Sequence, residues 1–373
     1  MKKVGIITMH KVINYGSALQ AYALQRTIEK LGYDCEIIDY IYPNEYHLSQ
    51  WLKMPFWKSW ILFIIQLLYG FPQKKRIKLF EAFYSRFLKL SPTCYQSREQ
   101  LQNNPPHYDI YVTGSDQVWN PKYIVGDTSF MLSFVSNVPK IAYSASFATD
   151  SIPDEYRKLY KTCLNEYAAI AVREQKGVEI IKSLSEKNAR VVLDPTLLLG
   201  AEEYEDIAER STIHMDEPYI LAYILGYSFN PYPYVERLIK HVQQKTGYKV
   251  CLLNISNVKM LFSHNTKRLQ KVGPSEFVYL FKNASFVITT SFHGTAFSII
   301  FNKPFYALVK QGNTDDRLIS LLQLLGLTDR AIFLNSVLPE HIAGIDNTEL
   351  FSSCLSVVRE HSIEYLRNEL GNA

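Results

Sequence analysis

The feature that most constrains this chain is a recurring pair: a short run of β-branched and aliphatic residues, a turn rich in polar groups, then apolar residues at helical spacing. The clearest case runs from Asn283 to Arg317, NASFVITTSFHGTAFSIIFNKPFYALVKQGNTDDR. Phe286 to Thr290 reads as a strand, and Phe297, Ile300 and Phe301 recur as the buried face of a helix. Pro304 stops that helix at Asn302, and Phe305 to Val309 reads as the next strand. His293 and Gly294 therefore fall at a strand-to-helix turn. In an open parallel sheet such turns lie at the carboxyl edge, where ligands bind and where free N–H groups favour an anion. These two edges offer an imidazole, a glycine that lets backbone approach a ligand, the hydroxyls of Thr290, Ser291 and Thr295, and the cations Lys310 and Arg317. The competing reading is a helix-start histidine bonded to backbone, with Gly294 serving only the turn.

The same rhythm opens the chain. Val4 to Met9 reads as a strand, Ser17 to Leu31 as a helix and Cys35 to Tyr40 as a second strand, joined by a turn carrying His10, Asn14, Tyr15, Gly16 and Ser17. Residues 43–107 break the rhythm and read as a helical insertion. Within it Trp60 to Phe71 is apolar and flanked by lysines; twelve residues are too few to span a bilayer but suit a helix lying in a membrane interface or packed on the first domain. Alternation resumes with Ile110 to Thr113, which runs into Gly114, Ser115, Asp116 and Gln117. Asp116 is a candidate proton acceptor, Gln117 a group to orient a hydroxyl and Trp119 a ring to stack on a sugar, although turn chemistry selects the same residue types. Ile141 to Ser146 and Ala168 to Val172 are further strands. The second delivers Arg173, a candidate clamp for an oxyanion or a partner of Glu174 or Asp194 in a salt bridge.

With 373 residues the chain suits two domains, and 47% hydrophobic with 20% charged residues excludes extended disorder. A formal charge of +4 with scattered basic residues gives nucleic-acid binding little support. Five dispersed cysteines with no CxxC pair argue against a disulfide framework and a structural zinc site, so no metal is expected. The opening apolar run is a strand and not a signal peptide, which makes the cytoplasm the expected compartment. The first strand lacks GxGxxG and the chain lacks a Walker loop, so no dinucleotide cofactor is expected. The expected architecture is α/β, with two Rossmann-like domains of parallel strands facing across a cleft. Residues 1–200 form the first, 201–217 the linker, 218–345 the second, and a helix in 346–373 crosses back onto the first.

SFHGTAFSIIFNKPFYAL resembles the C-terminal signature of the polysaccharide pyruvyltransferase family. In order before it, VGIITMHKVINYGSALQAYALQ, DIYVTGSDQVWNP, IAYSASFA, AVREQKG and VVLDPTLLL resemble that family's other blocks, so the resemblance spans residues 4–310. It implies a GT-B-like fold. It also implies transfer of the enolpyruvyl group of phosphoenolpyruvate onto two hydroxyls of a sugar as a cyclic ketal, in surface or capsular polysaccharide biosynthesis. Phosphoenolpyruvate is then a co-substrate, with no further cofactor. The resemblance makes His293 and Asp116 the catalytic candidates. Arg173, Lys310, Arg317, Ser291, Gly294 and Thr295 become donor-binding residues; Asn14, Tyr15, Gly16, Ser17, Ser115, Gln117 and Trp119 become acceptor-binding. A lipid-linked sugar acceptor would bring the enzyme to the inner face of the membrane. One departure stands out: family members carry arginine in an SxRxH pattern where this chain has Ser291. The alternatives are a glycosyltransferase of the same architecture using a nucleotide sugar, and a non-catalytic sugar-binding protein.

Overall fold

The computed structural model describes residues 1–41, 74–124, 126–226, 229–253, 265–310, 312, 317–342 and 350–373. It divides into two compact units, Met1–Pro195 with Tyr365–Ala373, and Thr196–Glu364.

Among the described residues, the first unit holds an all-parallel sheet of seven strands: β1 Lys3–Ile7, β2 Asp34–Tyr40, β3 Leu90–Tyr95, β4 Ile110–Thr113, β5 Lys140–Ala145, β6 Ala169–Val172 and β7 Ala189–Val191. Their order is β3-β2-β1-β4-β5-β6-β7. The second unit holds six parallel strands, β8 Tyr219–Tyr223, β9 Lys249–Leu253, β10 Thr266–Leu269, β11 Phe286–Thr289, β12 Phe305–Val309 and β13 Ala331–Phe333, in the order β10-β9-β8-β11-β12-β13. Both are doubly wound orders, in which strand succession reverses once beside the first strand. Helices cover both faces of such sheets, so central strands read as continuous apolar runs; β4, β8, β11 and β12 are buried at every residue.

Four expectations need correction. The stretch 43–107 is not wholly a helical insertion: residues 74–87 are helical, but β3 pairs in parallel with β2. Its sequence, LSPTCY, carries Pro92 and outward polar groups, which only an edge strand accepts. Trp60–Phe71 lies outside the described residues. The segment 201–217 is structured at its start, with a 3₁₀ turn Ala201–Tyr204 and a helix Glu205–Glu209 that bury Tyr204, Ile207 and Ala208. Tyr204 sets its ring against Phe297 with centroids 5.1 Å apart, so this stretch is anchored by apolar contact. The first helix begins at Tyr15 and not Ser17, because the Asn14 side chain caps it. Finally β10, TKRL, is a charged strand that apolar periodicity does not reveal; its charged exposed face suits a sheet edge.

The helix Leu350–Asn372 begins in the second unit and ends in the first. Among the described residues no helix is long and apolar enough to cross a membrane.

Candidate functional site

In an open parallel sheet the ligand crevice lies beyond the carboxyl ends of the strands where the order reverses. In the first unit that point is between β1 and β4, and in the second it is between β8 and β11. The residues singled out from the sequence fall at these two points or at the edges beside them.

At the first, the Thr8 hydroxyl donates to the Ser115 carbonyl at 2.9 Å and Gln20 Nε2 donates to the Thr8 hydroxyl at 2.8 Å, tying the ends of β1 and β4 to the helix Tyr15–Lys30. Asn14 Oδ1 accepts from the Gly16 and Ser17 amides at 2.9 and 3.3 Å. Ser17 then donates its hydroxyl to Asp116 Oδ2. A carboxylate therefore sits at the start of a long helix, where partial positive charge favours it. Behind it, Arg173 Nη2 lies 3.6 Å from Asp116 Oδ1, and Nη1 donates to Asp194 Oδ2 at 2.9 Å. The Ser115 hydroxyl is 3.0 Å from the same Asp194 oxygen. Glu174 Oε1 accepts from the Ser146 hydroxyl and the Phe147 and Ala148 amides at 3.1, 2.9 and 3.3 Å.

Backbone geometry marks the same place. Asp116, Ser144 and Ala148 take φ of 76°, 56° and 48°, a left-handed conformation that costs a side-chain-bearing residue energy and clusters where function requires it. Sequence reading missed this strain. It also missed the part of Asp194 in setting Asp116, since strand-end spacing shows which edge a residue reaches but not which neighbour it meets.

Several expected acceptor contacts change. Trp119 is fully buried; its ring packs on Phe147 and Tyr167 and its Nε1 donates to the Phe130 carbonyl at 3.3 Å, so no indole face is open to a sugar. Ser115 and Tyr15 are buried too, the first in the Asp194 network and the second stacked on Phe80 with centroids 5.5 Å apart. Gly16 and Ser17 are buried in the capped first turn. Asn14, Asp116 and Gln117 are the partly exposed polar groups of the set. His10, from the same turn, is buried between the Thr8 carbonyl and Asp39, 3.1 Å from each. Of the two roles open to Arg173 from the sequence, the structure shows the ion pair: its guanidinium faces Asp194 and Asp116.

At the second point Thr290 joins the two strand ends: its Oγ1 accepts from the Leu225 amide at 2.7 Å and donates to the Leu225 carbonyl at 2.9 Å. Ser291 caps the nine-residue helix Phe292–Ile300, its hydroxyl oxygen accepting from the Gly294 amide at 3.3 Å. His293 is the second residue of that helix and 8% exposed, its ring set edge-on to Phe292. Gly294 is closely packed against the end of β11 and β8. A Cβ there would lie 2.3 Å from Thr289 Oγ1 and 3.0 Å from a Tyr223 ring carbon. Thr295 is fully buried in the next position, and its hydroxyl makes no hydrogen bond among the described residues. Lys310 follows β12 directly and is exposed; Arg317 is buried and opens the helix Arg317–Leu324. Among the described residues no three histidine, cysteine, aspartate or glutamate side chains gather as a metal site.

Comparison with known folds agrees with the doubly wound pattern. The UDP-GlcNAc 2-epimerase of Methanocaldococcus jannaschii, solved with UDP-GlcNAc and UDP, superimposes with a TM-score of 0.53 at 13% identity, each chain covered in full. The Neisseria meningitidis UDP-GlcNAc 2-epimerase bound to UDP-GlcNAc gives 0.53 at 10% identity, again over both whole chains. MnaA of S. aureus with UDP gives 0.53 at 12% identity, over 100% of this chain and 97% of that one. At such identities the likeness shows the fold alone, and that fold is GT-B. No curated protein matches the chain in sequence. The family model described as polysaccharide pyruvyl transferase matches residues 14–309, a span that opens on the Asn14 cap and closes at the end of β12. The chain is a transferase belonging to the polysaccharide pyruvyl transferase family.

Proposed function

We propose that this enzyme moves the enolpyruvyl group of phosphoenolpyruvate onto two hydroxyls of one sugar, forming a cyclic pyruvate ketal and releasing phosphate. Protonation of the donor's methylene makes its neighbouring carbon electrophilic, and the first sugar hydroxyl adds there as its proton passes to a base. The second hydroxyl displaces phosphate, which leaves with the electrons of the broken C–O bond, and the proton of that hydroxyl departs with it. In this reading Asp116 is the base. It is partly exposed, fixed by Ser17 and Arg173, and stands at a switch-point edge. Arg173 and Asp194 position it. His293 is the proton donor or a ligand of the phosphate, and the helix start beside it favours the donor's negative charge. Lys310 and Arg317 supply further positive charge from the adjacent edge, with Arg317 buried at the head of its helix. Asn14 and Gln117 orient the acceptor. Surface or capsular polysaccharide synthesis in the cytoplasm is the setting this chemistry suits.

The observation that carries the reading is the position of His293, second in a Ser291-capped helix at the β8–β11 switch point and within the family span. Isothermal calorimetry of phosphoenolpyruvate against the protein tests it. Binding is expected and is expected to weaken at least about tenfold in His293→Ala, the equivalent of losing one charge-assisted hydrogen bond. Heat from a UDP-sugar with none from phosphoenolpyruvate would overturn it in favour of glycosyl transfer.

A further inference from the structure

Arg173 and Glu174 follow β6 directly, and Glu174 takes the N-cap position of the helix Gln175–Leu184. A short polar side chain there would cap the helix's own amides. Glu174 makes no such bond. It is buried and reaches to the neighbouring strand end, where the Ser146 hydroxyl and the Phe147 and Ala148 amides all donate to its Oε1. These donors belong to a strained run, since Ser144 before it and Ala148 at its end have φ of 56° and 48°. From the same run Ser146 turns back onto the Asp116 edge. Its amide donates to the Asp116 carbonyl at 3.0 Å, and its carbonyl accepts from the Trp119 amide at 3.2 Å. Ser146 therefore grips both ends of the turn that presents Asp116 and Gln117, and the Phe147 ring packs on Trp119 with centroids 5.3 Å apart.

We propose that Glu174 is a positioning residue for the acceptor edge: it fixes the run 146–148 and, through Ser146, the backbone on which Asp116 stands. Arg173 and Glu174 then divide one task. The guanidinium faces the Asp116 carboxylate, while the carboxylate next to it in sequence holds the main chain beneath, where Asp116 keeps a left-handed φ of 76°. A reacting group must be held within about 0.5 Å of its productive place, and a turn that carries a left-handed aspartate does not hold itself. That the turn serves acceptor chemistry rests on the pyruvyl-transfer reading; that Glu174 sets the turn does not.

Hydrogen exchange read at single amides of the full chain tests the proposal in wild type, Glu174→Ala, Glu174→Gln and Ser146→Ala. The deciding amides are those of Ser146 and Trp119, neither of which donates to Glu174. In Glu174→Ala both are expected to exchange at least about tenfold faster, the equivalent of one lost hydrogen bond to a charged group. The Gly114 amide, which donates to the Ile7 carbonyl at 2.9 Å beside the same edge, is expected to keep its wild-type rate; a general loss of stability would accelerate it equally. Glu174→Gln keeps an acceptor oxygen at the same reach and is expected to restore most of the protection. Ser146→Ala removes only the hydroxyl arm and is expected to accelerate the same two amides by less, so it decides the matter if Glu174→Ala fails to fold. Wild-type exchange at Ser146 and Trp119 in the alanine variants, acceleration no greater than at Gly114, or no recovery with glutamine overturns the assignment. Phosphoenolpyruvate calorimetry on the same samples separates the two ideas. Glu174→Ala is expected to bind the donor as wild type does, and weakened binding would overturn its assignment to the acceptor edge. A wild type that binds no phosphoenolpyruvate refutes pyruvyl transfer and leaves the hold of Glu174 on the turn standing.

Discussion

Asp39, one residue before the end of β2, has His10 Nε2 3.1 Å from one carboxylate oxygen and Lys11 Nζ 2.7 Å from the other. Burial pushes its pKa up, but the hydrogen bonds from His10 and Lys11 outweigh burial and hold it down, at about 2 against an ordinary 3.8. A depressed carboxylate contributes stability above its unfolded-state pKa and loses it as pH falls through the folded one. That contribution is therefore complete above about pH 5 and fades between about pH 4 and pH 2. Thermal unfolding of wild type and Asp39→Asn across this range is expected to show a stability gap that is constant near neutrality and narrows on acidification; a gap independent of pH would refute the assignment. Such pairing is hidden from the sequence. His10 and Lys11 are seen to follow a strand, but that β2 ends beside them depends on sheet order. Trp119 teaches the same lesson in reverse. Its neighbours Asp116 and Gln117 are partly exposed, yet one turn further on the indole enters the core, and no spacing rule distinguishes a ring that faces a ligand from one that faces Phe147.

The helix Phe292–Ile300 shows what decides an element's place. Its sequence announces the strand before it and the Pro304 stop, local signals that survive into the structure, whereas the Ser291 cap emerges from the structure. Its distance from the sheet is set by Gly294. A methyl there meets Thr289 Oγ1 at 2.3 Å, and that hydroxyl cannot swing away easily because it donates to the Tyr223 carbonyl at 2.8 Å and accepts from the Ser291 amide at 3.0 Å. Gly294→Ala is expected to destabilise the protein by roughly 1–3 kcal/mol through overpacking, despite alanine's better helix propensity. Thr289→Ala/Gly294→Ala is expected to recover part of the loss, because the closest clashing atom is gone; chemical denaturation of the three variants measures it, and a stabilising Gly294→Ala would refute the packing account. The elements that sequence reading missed, β3 and β10, share a cause. Both are edge strands with exposed polar side chains, so neither carries the apolar run by which a central strand is recognised.

For the molecule as a whole, alternation of strand and helix makes two parallel α/β sheets legible, whereas the closing of the first unit's core by the chain's last residues depends on contacts far apart in sequence. Leu366 and Leu370 are fully buried, and Tyr365 donates its hydroxyl to the Ala142 carbonyl in β5 at 3.3 Å, across 223 residues of chain. Arg190, from β7, lies 5.3 Å over the Tyr365 ring. The amphipathic spacing in Phe351–Leu370 predicts a helix with one buried face, but β5 as its partner is not written in that spacing. Leu366→Ala removes a fully buried side chain and is expected to cost roughly 2–5 kcal/mol. Because Tyr365–Ala373 belongs with Met1–Pro195, that loss is expected to fall on the first unit. Hydrogen exchange on the variant should show protection dropping in β4, β5 and β6 by more than in β8, β11 and β12. Equal loss in both sets would mean that the two units unfold as one, and loss confined to the second set would refute the role assigned to the last helical turns. Until those turns are in place the strands that carry Asp116 and Arg173 have an open core, so the same variant is expected to weaken the candidate acceptor edge before it affects the helix start at His293.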